Sequence, residues 1–272
     1  AKYAKLFMAL TPPPTGPDLA LATEALFRSG DYAGATAIAQ KNIDAAVAAG
    51  QKPARNDLEI TMAAQAKQKD EPGAEKTLEL LVANYSMPED WDQIMGIALT
   101  QRGMRDIDYI YMGRLMQLQG GKIKAADAQL VGSAANSNKL GLYGDADAMQ
   151  KFGGPAADPR EAADKKSLPK QIADGAKNDG EYNVKTAEAA YGYGQYADAE
   201  KLARTAKTKP GVKDPTEPDM VIGISLAAQG KYAEAAAVFD SIKQSNPPSA
   251  RVVRLWGYFA KSKANPATAA AK

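Results

Sequence analysis

The chain has no cysteine and no histidine among its 272 residues. Those two absences together exclude disulfides, thiol nucleophiles, Ser-His and Cys-His relays and the usual zinc sites. Aromatic residues reach only 7%, and alanine dominates the hydrophobic 45%. Alanine with few clustered β-branched residues favours closely packed helices over sheet. No apolar run approaches the roughly 20 residues needed to span a bilayer. A dominant charge is missing too: 34 Lys and Arg against 32 Asp and Glu leave a formal charge of +2. The two signs are interspersed, so no basic stripe points to nucleic acid. Any chemistry would rest on carboxylates, Lys, Tyr or Ser, and nothing in the sequence implies a cofactor or a metal.

What is present is clearest between Thr216 and Pro248. Met220, Ile222, Ile224, Leu226 and Ala227 precede a break at Gly230-Lys231. Tyr232, Ala235, Ala236, Phe239 and Ile242 follow at helical spacing and stop at Asn246-Pro247-Pro248. This predicts two amphipathic helices joined by a tight turn. Gly223 and Ala235 are expected to let the backbones approach, with Tyr232 and Phe239 filling the space beside them. One such hairpin cannot bury its apolar face alone and needs neighbours of its kind.

A small residue early in the first helix, Gly-x-Tyr at the turn, Ala three residues after the Tyr, an aromatic four further on and a closing Pro resemble the tetratricopeptide repeat. Gly223, Gly230, Tyr232, Ala235, Phe239 and Pro247 carry the match; Asp219 stands where that family has an aromatic. The resemblance implies an all-α, right-handed solenoid of antiparallel helix pairs that binds proteins or peptides.

Along the chain the same punctuation recurs. Residues 1–16 form an apolar N-terminal arm closed by Pro12, Pro13 and Pro14, which cannot continue a helix. Clear turns fall at Gly30, Gly141, Gly194 and Gly230, each followed two residues later by Tyr and five residues later by Ala. Lys69 and Gly103 fall in register without the full pattern. Asn56 is expected to cap the helix that runs to Lys67, and the first helix of the fourth pair is expected over 125–138. Residues 153–170 hold three prolines and many charges with no sustained apolar face, which predicts a surface insertion with one short helix, followed by an extra helix over 170–178. The expected architecture is about six hairpins over 17–263, ending in a single helix over 249–263 that caps the last repeat. Residues 264–272 read as a tail.

Several constellations suggest chemistry. Gly192-Tyr193-Gly194-Gln195-Tyr196-Ala197 fits the loose dinucleotide fingerprint, but a helix precedes it where that fingerprint needs a strand, so it reads as a repeat turn. Asp145-x-Asp147 begins like a calcium loop, yet Met149 and Gln150 occupy later ligand positions, so a helix start is the better reading. Asp90/Asp92 and Asp106/Asp108 invite the same interpretation, although paired carboxylates also serve glycoside hydrolysis. Tyr182, Tyr191, Tyr193 and Tyr196 form the densest aromatic patch, with Tyr196 in the repeat core.

In the resembled family the exposed faces of the first helices line a groove. Here they offer Glu24, Phe27 and Arg28; Gln93, Thr100 and Gln101; Asn138 and Lys139; and Glu188 and Tyr191. Aromatics there would anchor a partner and polar groups would orient it. The family's paired Lys and Asn residues for a C-terminal carboxylate are not matched. The first expectation is therefore a non-enzymatic scaffold for a protein or peptide partner. The second is a self-assembling filament or lattice subunit, joined through an arm carrying Leu6, Phe7, Met8 and Leu10. The third is a carboxylate-dependent cell-wall glycosidase. A chain that starts Ala1-Lys2 and lacks cysteine fits an exported bacterial protein whose signal peptide has been removed, and equally a trimmed one.

Overall fold

The computed structural model describes residues 16–265 together with Lys2, Leu6, Phe7 and Ala9. The secondary structure of the described residues is helical, with fourteen α-helices and no strand. They divide into two compact units, one up to Asp90 and the other from Trp91. Of the N-terminal arm, Leu6 is 57% exposed and Phe7 half-buried, while Met8 and Leu10 lie outside the described residues.

The first unit contains α1 (Gly16–Arg28), α2 (Tyr32–Ala48), α3 (Arg55–Lys67) and α4 (Glu71–Tyr85). Each packs on the next, and α1 also touches α3. Leu26, Ala35, Ala39 and Ile60 form one core cluster, with Phe27 and Ile38 packed against it, and Leu58, Leu78, Leu81 and Val82 are buried as well. Ala35 and Ala39 are fully buried, and a larger side chain at either would push the helices apart. Asn56 does not cap α3: the helix begins at Arg55 after an extended Ala54, so Asn56 already lies in the first turn.

The division falls inside α5 (Pro88–Thr100). The second unit continues with α6 (Asp106–Gln119), α7 (Ala125–Ala135), α8 (Tyr143–Gln150) and α9 (Glu161–Asp174). Then come α10 (Gly180–Gly192), α11 (Tyr196–Ala206), α12 (Glu217–Ala228), α13 (Tyr232–Ser241) and α14 (Pro247–Ala264). Successive packing again dominates. Gly223 sits where a Cβ would come within 2.6 Å of the Phe239 ring, so the close approach exists, but Phe239 lies nearest it. Ala235 is fully buried.

One turn geometry joins the pairs. Gly30, Lys69, Gly194 and Gly230 all adopt left-handed backbone, with φ of 83°, 61°, 77° and 76°. In each case the following N–H donates to the carbonyl five residues back: Asp31 to Leu26, Asp70 to Gln65, Gln195 to Ala190 and Lys231 to Leu226. This is the Schellman closure of a helix. The turn at Lys69 is therefore equivalent to the glycine turns, although it lacks both Gly and Tyr.

Two expectations are corrected. The segment 153–170 does carry a helix, but neither a short one nor one separate from the helix expected over 170–178: α9 runs fourteen residues, from Glu161 to Asp174, and carries Pro169 inside it. Leu168 alone is buried along α9, so there was no apolar stripe to read. The helix docks on α10 partly through two members of the tyrosine patch. The Tyr193 hydroxyl donates to Asp164 Oδ2 at 3.0 Å and the Tyr182 hydroxyl to the Gln171 carbonyl at 3.3 Å. Second, α7 ends at Ala135, so Asn138 and Lys139 sit in the loop beyond it rather than on a helix face.

The last helix packs on α13, as a capping helix would, and also reaches back to α6. Trp256 Nε1 donates to the Tyr111 carbonyl at 3.1 Å, and Ser249 Oγ donates to Asp108 Oδ2 at 2.8 Å. Trp91, Trp256 and Phe259 are fully buried, and Phe259 packs edge-on against both tryptophans. The far end of the second unit is thus closed onto its own beginning.

Candidate functional site

The centre of the second unit is α6, buried without interruption from Ile107 to Met116 except at Tyr109. Within this apolar run stands Arg114, 1% exposed. A bare guanidinium there would be prohibitively costly, so its surroundings must supply opposite charge and acceptors. Its Nε and one terminal nitrogen each donate to Asp145 at 2.8 Å, a two-pronged pair. The other terminal nitrogen donates to Glu188 Oε2, while the one that faces Asp145 also donates to the Glu188 carbonyl at 3.0 Å. The guanidinium carbon lies 4.3 Å from the centre of the Tyr191 ring. The Tyr111 hydroxyl donates to Glu188 Oε1 at 2.6 Å. Burial opposes the charge of Arg114, but Asp145 and Glu188 more than offset it and raise its pKa well above the ordinary value. Burial, reinforced by Glu188, pushes the Tyr111 hydroxyl well up, so it stays a donor.

Local sequence explains how these groups meet. Asp145 lies in the first turn of α8, where a carboxylate faces free N–H groups. Gly144 lets α8 press against the end of α10: a Cβ there would fall 2.7 Å from the Gly192 carbonyl carbon. Glu188 and Tyr191 are three residues apart on α10 and present one face to Arg114.

A second network adjoins the first. Arg105 uses Nε and one terminal nitrogen on the two oxygens of the buried Asp108, at 3.1 and 2.9 Å. Its other terminal nitrogen reaches Asp214 and comes within 3.9 Å of Glu217. Between the networks lies a cavity of about 240 Å³. Ile107, Leu140, Leu142 and Val184 give it apolar walls, Glu188 and Glu217 line it, and Lys139, Lys185, Lys213 and Glu181 stand at its edge. The carboxyl of Glu217 is raised to about 7, first by burial and then by the charges of Glu188 and Asp214, against which Arg105 pulls only in part.

The expected groove residues separate on inspection. In the first unit Glu24, Phe27 and Arg28 do come together, lining a hollow of about 340 Å³ with Asn56, Glu59, Ile60 and Ala63 of α3. In the second unit Lys139 and Glu188 share the cavity. Tyr191 does not lie on an exposed face; it is buried against Arg114 and Tyr196, because α6 covers the face of α10 that a single hairpin would leave open. Glu188 is likewise nearly buried, reaching the cavity from its floor. Gln93 is exposed, Thr100 turns back to the Ile97 carbonyl at 3.0 Å, Gln101 accepts from Arg251 at 3.0 Å, and Asn138 accepts from Arg160 at 2.8 Å. These four join neither hollow.

Neither a scan of family models nor searches of curated proteins and of solved structures finds a match to this chain. The site must be read from its own chemistry. Arg114 escaped the sequence reading, though a signal was available: a lone arginine inside Ile110-Tyr111-Met112-Gly113-Arg114-Leu115-Met116 has no polar face to occupy. Asp145, read as a helix start, is that and also the partner of Arg114. Among the described residues no group of three acidic side chains is arranged to hold a metal ion, and no helix is long and apolar enough to cross a membrane.

Proposed function

We propose that the chain is a non-enzymatic scaffold of tetratricopeptide-like helix pairs, a right-handed solenoid in design, that holds a segment of a partner protein against its first helices. The hollow between α1 and α3 carries this reading: Phe27, Ile60 and Ala63 form an apolar strip between Glu24, Arg28, Asn56 and Glu59. Such a strip gives a partner side chain something to bury and flanks it with groups that fix its direction. Work outside the cytoplasm of a bacterium fits the absence of cysteine and belongs to the same proposal. The test is a photo-crosslinking amino acid at Phe27, compared with one at Lys41 on the outward side of α2, exposed to the protein's native extract. The expected result is one partner segment crosslinked from Phe27 and lost on Glu59→Lys. Equal labelling from both positions would overturn the proposal.

One observation favours a second reading, a carboxylate glycosidase: Glu217 has the raised carboxyl a general acid needs, in a cavity it shares with Glu188. Against it, both oxygens of Glu188 are already engaged, by Tyr111 and Arg114. Release of sugar from cell-wall glycan by the wild type and not by Glu217→Gln would establish this reading in place of the first.

A further inference from the structure

The charges around the cavity in the second unit do not balance at its floor. In the two networks beside it, two guanidinium groups face five carboxylates, of which Glu188 and Glu217 line the cavity. Arg114 is matched by Asp145 and shared with Glu188. Arg105 is matched by Asp108 and Asp214, leaving Glu217 its fringe at 3.9 Å. Among the described residues no side chain or N–H donates to the Glu217 carboxyl within hydrogen-bond distance, and its nearest cation is Arg105 at 3.9 Å. The three lysines at the rim do not repair this, since each pairs with a rim carboxylate: Lys139 with Asp106 at 3.3 Å, and Lys185 and Lys213 with Glu181 at 3.6 and 3.5 Å. Their side chains are well exposed, so solvent and salt screen them far more than they screen the floor. The cavity thus combines an apolar sleeve, a floor with surplus negative charge and a positively charged rim.

Resting on the scaffold reading above, we propose that this cavity is a socket for one lysine side chain of the partner segment, and that acidic residues flank that lysine. The methylene stem lies along Ile107, Leu140, Leu142 and Val184, and the ammonium group meets Glu217, with the engaged carboxylate of Glu188 adding its charge from beside it. A lysine buries its stem in this way while its charge finds partners. The rim lysines attract the acidic flanks and repel a basic stretch, which gives discrimination by repulsion as well as by contact. At neutral pH a proton on Glu217 occupies the place of the missing cation, so binding the ammonium releases that proton. Affinity therefore rises from pH 6 to pH 8.

The test is calorimetric titration of the full chain with three short peptides: acetyl-Glu-Lys-Glu-amide, the same peptide with norleucine for lysine, and acetyl-Lys-Lys-Lys-amide. The lysine peptide with acidic flanks should bind at least tenfold more tightly than either of the others. Its affinity should rise several-fold between pH 6 and 8, and Glu217→Gln should abolish that rise. Equal binding of the norleucine peptide would reduce the cavity to an apolar hollow. Tighter binding of the tri-lysine peptide, or no binding of any of the three, would overturn the proposal without recourse to a variant. Crosslinking from Phe27 that persists when these titrations fail removes only the socket. Peptide binding without any crosslinked partner segment removes the scaffold reading and leaves a site for amines.

Discussion

Arg55 and Arg114 make the same two-pronged contact with an aspartate, one in each unit, and their surroundings give the contact opposite meanings. Arg55 reaches Asp90 at 2.9 and 3.3 Å with 27% of its side chain exposed, and it also serves Glu59 and Glu89. Water remains an alternative partner for it. Arg114 has 1% exposure and no such alternative. In the first unit the cation of the pair stands half in water, although its partner Asp90 is buried. In the second, ion pairs are built into the middle of the packing, where removing one member strands the others.

Substitution at these two positions should show the largest difference. Arg114→Met leaves Asp145 and Glu188 buried without a cation and should cost about 3–5 kcal/mol. Arg55→Met leaves the buried Asp90 without its cation and should cost about 1–3 kcal/mol, less than the change at Arg114 because Arg55 itself is 27% exposed and water reaches the pair. Chemical denaturation followed by hydrogen exchange in each unit reads both, and equal losses would erase the distinction between the units.

A smaller effect should come from pH. The folded-state pKa of Glu217, about 7, exceeds the ordinary 4.5, so the folded form holds a proton that the unfolded chain gives up earlier. Stability from this group is complete below pH 4.5 and falls as pH rises through 7. The shift corresponds to roughly 3 kcal/mol at most. Glu217→Gln should flatten that fall, making the variant more stable than wild type at pH 8 and not at pH 4. A wild type and variant that lose stability in parallel between pH 5 and 8 would mean that Glu217 is hydrated rather than enclosed.

The smallest prediction concerns a turn in the first unit. Lys69 holds a left-handed conformation that costs a side-chain-bearing residue about 1–2 kcal/mol, part of which glycine gives back in the entropy of the unfolded chain. Lys69→Gly should raise stability by about 0.5–1 kcal/mol, measurable as a higher melting temperature. Gly230→Lys in the second unit should lower it by a similar amount.

The helix pairs were legible because their punctuation is local. A left-handed residue, a helix start and a buried alanine lie within six positions of one another, at Gly30, Tyr32 and Ala35 as at Gly230, Tyr232 and Ala235. Asp31 and Asp70 make the first unit easier still, since each caps its helix by accepting from Gly34 or Gly73. The Lys69 turn was legible only by counting. The buried charge network was not, because Arg114, Asp145 and Glu188 are 31 and 74 residues apart and meet only when α8 and α10 fold over α6. The same long-range packing buried Tyr191, whose spacing on its own helix pointed outward. Phe27, whose surroundings come from its own hairpin and the helix after it, lines the hollow beside Ile60.

The return of α14 onto α6 has a consequence for how the chain is made. A ribosome releases Asp108 and Tyr111 long before Ser249 and Trp256, which bond to them across 141 and 145 positions. An array of helix pairs built only from neighbours can settle pair by pair as it emerges. Here the aromatic face around Trp91 waits, uncovered, for residues from the last helix. Nascent chains arrested before residue 247 should therefore be far more open to protease in α6 than chains arrested beyond residue 264. The second unit matures in a single late event, once the residues of α14 have emerged.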